Sequence, residues 1–215
     1  MLDDSFRIMR MAVEVTRQVP IGRLRLERSF RREGRSVKAM VGSLFDEGGK
    51  LVLSMDALAI AQADLGIRPA QPDMDEALPT DSRPTRFPFS DDEPGYPNAI
   101  ELRFARGDFG DGDVMAWIRT RVDMFEGVAP LPIERVLAAA DSGNGVSQRV
   151  KLDEYTFMNA DLAVTLHRPA RGEWIGMAAR TDMDDRGIGV ADTRLYDETG
   201  PIGRGVQTLL IRKRG

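Results

Sequence analysis

No cysteine occurs in this chain, and histidine occurs once, at His167. The first absence excludes a disulfide framework, a thiolate metal site and a cysteine nucleophile. It fits a reducing compartment, and the expectation is a cytoplasmic protein. No run approaches the ~18 apolar residues of a membrane span. The opening MLDDSFRIMR has no apolar core of signal-peptide length, so neither export nor a membrane is expected. Net charge is -4, which argues against a nucleic-acid surface. The basic run RLRLERSFRREGR (23–35) alternates Arg with Leu and Phe, as the wet face of a strand does.

What is present is an ordinary soluble composition, 42% apolar and 30% charged over 215 residues. That length suits one large domain or two small ones. The chain also repeats itself. SLFDEGGKLVLSMDALAIA (43–61) and RLYDETGPIGRGVQTLLIR (194–212) both read strand, DE-x-G turn, longer strand. They align without a gap at an offset of 151, and Arg17 meets Arg168 at the same offset. A repeat of this length is a duplication rather than a solenoid.

Between the copies, residues 67–97 hold seven of the twelve prolines and the run SDDEPGYP. Proline fixes φ and removes a donor, so this stretch reads as an acidic linker without regular structure. The domain reading is therefore 1–66, linker 67–97, and 98–215. The second copy shows strands at 98–107, 114–123, 155–168, 173–182, 187–197 and 201–212. Its one convincing helix is PIERVLAAAD (132–141), with Pro132 in the first turn and Gly143 and Gly145 as the stop. One helix among long antiparallel strands predicts an α+β layout in which the sheet wraps the helix. The first copy has strands from about residue 11 but neither a helix nor the strands before it. Three explanations compete, a true start upstream, a lost segment, and another subunit covering the face; the first is the favoured expectation.

GVQTLLIR, near the end, puts a primary amide in an apolar strand. A buried amide left unpaired costs about 1–3 kcal/mol. Either Gln207 faces solvent or the fold needs it.

NADLAVTLHRPARGEWIGMAART and GIGVADTRLYDETGPIGRGVQTLLIR resemble the type II acyl-CoA thioesterases, within the thioesterase-like superfamily. The resemblance covers about residue 97 to the end, and only the last strands of the first copy. It implies a double hotdog, two antiparallel sheets wrapping a central helix, with the N-terminal hotdog truncated and lacking its helix. It implies three catalytic residues that position the attacking water: Asp161 in DLAVTLHR, Thr181 in AART and Gln207 in GVQTLL. It implies an acyl-CoA substrate, no cofactor, no metal, and association into a homo-oligomer. At the offset of 151 these three residues meet Arg10, Phe30 and Asp56. None of the roles is repeated, so the first copy is expected to be structural.

The chemistry agrees independently. Thioester hydrolysis needs a base beside water and donors near the developing oxyanion. No Cys and no G-x-S-x-G offers a covalent route. A carboxylate acting on water remains, and the N-terminus of the 132–141 helix could supply oxyanion donors. His167 reads as structural, Trp117 and Trp174 as strand packing, and the DMDD run at 182–185 as a polar turn rather than a calcium loop. The alternative function is a double hotdog that binds an acyl-thioester without cleaving it.

Overall fold

Buried and exposed residues alternate along Ile188–Asp197 and Gly200–Lys213, the period of strands with one dry face. The computed structural model describes residues 2–67, 70, 74–88 and 95–215. Its strands are β1 (Phe6–Val15), β2 (Arg25–Glu33), β3 (Val37–Phe45), β4 (Leu51–Ala61), β5 (Arg83–Thr85), β6 (Ile100–Arg106), β7 (Asp113–Thr120), β8 (Tyr155–Asn159), β9 (Asp161–Leu166), β10 (Ile175–Met183), β11 (Ile188–Asp197) and β12 (Gly200–Lys213). The helices are α1 (Tyr96–Ala99), α2 (Pro132–Ala140) and α3 (Gly143–Val146).

The strands form one antiparallel sheet in the order β2-β3-β4-β1-β9-β12-β11-β10-β7-β6-β5, with β8 also on β12. The two copies are thus joined edge to edge. β1 pairs with β9 from Arg10–Thr165 to Glu14–Asp161, which uses main-chain groups that an open edge would leave unpaired. α2 starts with Pro132 at its first position and a Glu134 Oε2 that accepts from Leu131 N–H at 2.8 Å. Its Val136, Ala139 and Ala140 are buried in one core with Leu102, Phe104, Val164 and Leu195. The second copy thus packs its sheet on α2, whereas the two sheets expected from the sequence are one continuous sheet, joined by the β1–β9 pairing.

The duplication is visible in the strands. β2 and β10, like β3 and β11, correspond at the offset of 151. Both terminal hairpins carry a bulge, with Val52 and Ile202 as the extra residues; both are buried. Those two differ by 150, because the first copy has one more residue in its turn. The structural counterpart of Gln207 is therefore Ala57, opposite Met40, and not Asp56. A turn insertion slips the register of the following strand without disturbing the strand before it. Among the described residues, β1–β4 have no counterpart of β6, β7, α2 or α3. Met40, Leu44, Leu53 and Met55 share the face that would meet such a helix, and are only half-buried.

The stretch read as a linker carries structure where it is described. Pro79–Asp81 is a 3-10 turn, β5 pairs with β6, and Phe87 is buried in the core. Trp117 Nε1 donates to Ala77 O at 2.8 Å, and Tyr196 Oη donates to Asp75 Oδ1 at 3.2 Å. This strap covers the outer face of β7 and explains why β7 is buried on both sides. Its apolar anchors outweigh its prolines. Pro69, Pro72, Pro94 and most of SDDEPGYP lie outside the described residues.

The β9–β12 pairing depends on Gly203. A Cβ there would lie 2.2 Å from Thr165 O and 2.9 Å from Leu166 Cα. Backbone cannot yield as a side-chain end can. Gly203→Ala is expected to cost about 3 kcal/mol and lower Tm by roughly 6–12 °C, measured by thermal unfolding.

Candidate functional site

α3 stands where the sequence reading puts a helix stop. The chain turns at Asp141 and makes a second helical turn against the sheet, and glycine permits it. A Cβ on Gly143 would lie 2.7 Å from Thr193 Oγ1 and 2.9 Å from Gln207 Oε1. With no side chain there, the α3 backbone sits directly on β11 and β12. A cluster of buried polar residues surrounds it: Ser142, Asn144, Ser147, Gln148, Thr181, Thr193 and Gln207.

Gln207 is 1% exposed. Its Oε1 accepts from Asn144 N–H at 2.9 Å. Its Nε2 donates to Asp141 O at 3.0 Å and to Asn144 Oδ1 at 3.3 Å. The amide is therefore inside and paired, and it ties the end of α2 and the start of α3 to β12. Both N–H bonds are used; one lone pair on Oε1 remains available.

Thr181 is 0% exposed and shares the helix-side face with Gln207. Both pair with Ala191, from opposite sides. Two strand spacings put their Cα atoms roughly 10 Å apart with one methyl between them. Ser147 Oγ donates to Gly143 O at 2.8 Å and lies 2.7 Å from Thr181 Oγ1. Ser147 has one proton, so Thr181 is the donor in that pair and keeps its lone pairs for an incoming donor. Thr181→Val leaves Ser147 Oγ without its donor. It is expected to cost about 1 kcal/mol and lower Tm by roughly 2–4 °C, whereas Thr181→Ser stays near wild type in a thermal melt.

Asp161 lies elsewhere. It pairs with Glu14, on the opposite face of the sheet, and is half-buried. Its Oδ1 accepts from Thr208 N–H at 2.7 Å, one residue from Gln207. The structure brings Thr181 and Gln207 to one face around α3 and leaves Asp161 beside the Gln207 backbone on the other. The α2 N-terminus is also distant: Gln207 meets the C-terminal end of this nine-residue helix, roughly 13 Å away along its axis.

A second acidic residue is tied to the amide through its main chain. Asp141 ends α2, and its main-chain oxygen is the one Gln207 holds. Protein atoms crowd its carboxyl and push its pKa above the ordinary value, with the Asn159 hydrogen bond, 2.9 Å to Oδ1, pulling the other way. By surface area it remains open to solvent. Asp141, Asn144 and Gln148 line a cavity of about 450 Å³ with Phe87, Tyr155 and Phe157. Ser147 was not evident as a site residue from the sequence, and Asn144 reads there first as part of the helix stop with Gly143 and Gly145 and only second as a loop near the acyl channel. The available signal was DSGNGVSQ, a dense polar run immediately after an apolar helix.

The other residues read from the sequence fall into place. His167 is exposed at the end of β9. Asp184 Oδ1 accepts from the N–H groups of Arg186 and Ile188, so DMDDRG is a polar turn. Trp117 and Trp174 pack with Met115 and Tyr196 on the outer face.

The family model for the acyl-CoA thioesterase C-terminal domain matches residues 75–211, well over half the chain. The chain belongs to that family. Among curated proteins none matches it. Several solved structures resemble this thioesterase-family chain. Acyl-CoA thioesterase II TesB2 from Mycobacterium marinum is 16% identical, with TM-score 0.70, covering 100% of this chain and 84% of that one. The tesB protein MAP1729c from Mycobacterium avium subs paratuberculosis is 11% identical, with TM-score 0.68, covering 97% and 80%. A conserved hot-dog-fold protein from Alicyclobacillus acidocaldarius is 13% identical, with TM-score 0.75, also covering 97% and 80%. At these identities the likeness establishes the fold, an α+β hotdog. Among the described residues, no helix is long and apolar enough to cross a membrane.

Proposed function

We propose that this protein hydrolyses acyl-CoA thioesters to free fatty acid and CoA, by attack of a carboxylate-activated water and without a covalent intermediate. Family membership supports the reaction class. The observation that carries the site is the burial of Thr181 and Gln207 on one face, both opposite Ala191 and both beside α3. Each keeps acceptor capacity. A water whose hydrogens are held by acceptors turns a lone pair toward the thioester carbonyl. Asp161 is the proposed base, taking the proton as the C–O bond forms and the thiolate of CoA departs. Residues 1–66 act as a partial, structural hotdog, and catalysis belongs to 98–215. The protein works in the cytoplasm as a homo-oligomer with neither metal nor cofactor.

A specific observation favours a second base. Asp141 lines the cavity beside Asn144, and its main chain is bonded to Gln207, whereas Asp161 faces the other side of the sheet. The test is free-CoA release by wild type, Asp161→Asn and Asp141→Asn across short, medium and long acyl chains. The base variant loses turnover while keeping KM, because the isostere keeps shape and removes the proton acceptor. Asp161→Asn still accepts from Thr208 N–H, so its fold is preserved. Full activity in both variants removes the carboxylate from the reading. A folded wild type that binds but releases no CoA returns the protein to the non-catalytic alternative.

A further inference from the structure

The first copy leaves an apolar sheet face uncovered. The register of β1–β4 sets Val15, Leu53, Leu44 and Leu26 in one cross-strand row, with Val13 and Met55 in the next. Val15 and Leu26 are exposed, and the other four are half-buried. Met55 lies flat over Gly42, where a Cβ would stand 2.5 Å from its Cε, so the face is level. The second row ends in Arg28, within the run 23–35 that carries six arginines against two glutamates. Four strands of nine to eleven residues span roughly 19 Å by 30 Å, or about 600 Å², the upper end of the apolar patch a monomer leaves bare.

A complementary arm stands between β7 and α2. Val122, Phe125, Val128 and Leu131 are each more than half exposed. Val128 N–H donates to Phe125 O at 3.1 Å and Gly127 has a φ of 69°, so a tight turn holds Phe125 and Val128 side by side. The charges of residues 122–134 are Asp123, Glu126 and Glu134, with no Lys or Arg among them. Leu131 shares a cavity with Ile8, and Ile8, opposite Ala59, lies on the same face as Met55. Arm and face therefore look out on one side of the sheet. Within one chain both stay exposed, so the arm does not cover its own face. We infer that two copies pair about a two-fold axis, the 122–131 arm of each lying on the β1–β4 face of the other. Phe125 and Val128 then meet the leucine row, and the acidic Glu126 meets Arg28. A two-fold makes each contact twice and closes the pair. About 500 Å² from each of two faces and two arms makes on the order of 2,000 Å², above the ~1,600 Å² of a standard stable interface. The inference rests on the homo-oligomer proposed above and gives it an interface; turnover does not enter it.

Sedimentation velocity over a wide concentration range, with thiol cross-linking, tests it on the full chain. Wild type is expected to dimerise. Arg28→Glu and Glu126→Arg are each expected to weaken the dimer about tenfold or more, since each change acts twice, and together in one chain to restore it to within about threefold. Both positions are exposed, so neither change disturbs the core. Phe125→Asp is expected to abolish the dimer. The chain has no cysteine, so Arg28→Cys and Glu126→Cys supply the only thiols. A mixture of these two single variants, treated with a short bis-maleimide, is expected to give a cross-linked dimer on a denaturing gel. A wild type that stays monomeric overturns the inference and the homo-oligomer with it. A dimer that neither charge reversal moves overturns this interface and leaves the homo-oligomer standing. A doubly substituted chain that cross-links internally, with no cross-link in the mixture, assigns the arm to its own face and overturns the inference too. Acyl-CoA release on the same samples keeps the hydrolase separate: a dimer that follows the pattern without releasing CoA upholds the interface and sinks the hydrolase.

Discussion

Gln207→Leu is expected to lower kcat for acyl-CoA hydrolysis by at least ~100-fold, the scale seen when one polar group is removed from a preorganised site. Leucine fits the volume but leaves Asn144 N–H and Asp141 O without their partner. That costs about 1–3 kcal/mol of stability for each unpaired group. Both effects follow from one side chain because the amide that ties α3 to β12 is also the group facing the proposed water. Steady-state kinetics on a folded sample separates them. A fall in kcat with KM retained marks a role in the reaction. A rise in KM alone, with a lowered Tm, marks a purely structural amide. Gln207→Glu is the useful companion: it keeps an acceptor for Asn144 N–H but loses the donor to Asp141 O.

The largest stability effect is expected at Asp197. Its side chain is 0% exposed, and it lies against Arg168, which is 13% exposed. Arg168 meets it with two nitrogens, Nη2 at 2.8 Å from Oδ1. Thr199 Oγ1 and the N–H groups of Thr199 and Arg171 also donate to it. Asp197→Ala leaves a buried guanidinium uncompensated and is expected to cost about 3–5 kcal/mol. At this chain length that lowers Tm by roughly 6–20 °C. The first copy supplies an internal control. Asp46, the counterpart, accepts from Lys50 N–H in a solvent-exposed turn. Asp46→Ala is expected to cost ~1 kcal/mol or less.

The same pair sets an acid limit. Burial alone would raise the Asp197 pKa, but the hydrogen bonds from Arg168, Thr199 and Arg171 outweigh it, and the net direction is down. A carboxylate held below its unfolded value of about 3.9 contributes stability above that pH. The contribution is lost as pH falls from about 4 through the lowered native value. Urea unfolding should therefore show wild type losing stability across that window, and Asp197→Ala losing less.

Much of the fold was legible because it rests on local pattern. Alternation predicted β10, β11 and β12 to within two residues, and Pro132 in the first turn with the glycines beyond predicted α2. The duplication was legible because its turns carry the same DE-x-G chemistry. Its constant offset failed at one place, where an extra turn residue shifts Gln207 onto Ala57, and a gapless comparison cannot register a bulge. The strap was hidden by composition: prolines announced a linker, while Trp117, Tyr196 and Phe87 anchor it through contacts distant in sequence. The site was legible in part. Gln207 stood out as an amide in an apolar strand, and its burial answers that oddity. α3 did not stand out, since two glycines signal a stop unless the backbone they expose has something to lie against. The face of Asp161 was equally hidden, because the Ala160 interruption between β8 and β9 sets it and alternation alone does not.

The most direct measurement is a single turnover in H₂¹⁸O, with enzyme in excess over an acyl-CoA it hydrolyses. Attack by activated water predicts one ¹⁸O in every molecule of fatty acid released in that first turnover, and an unlabelled protein. Fatty acid released without label, with ¹⁸O found instead in a carboxylate of the protein, would show an acyl-enzyme anhydride and contradict the account.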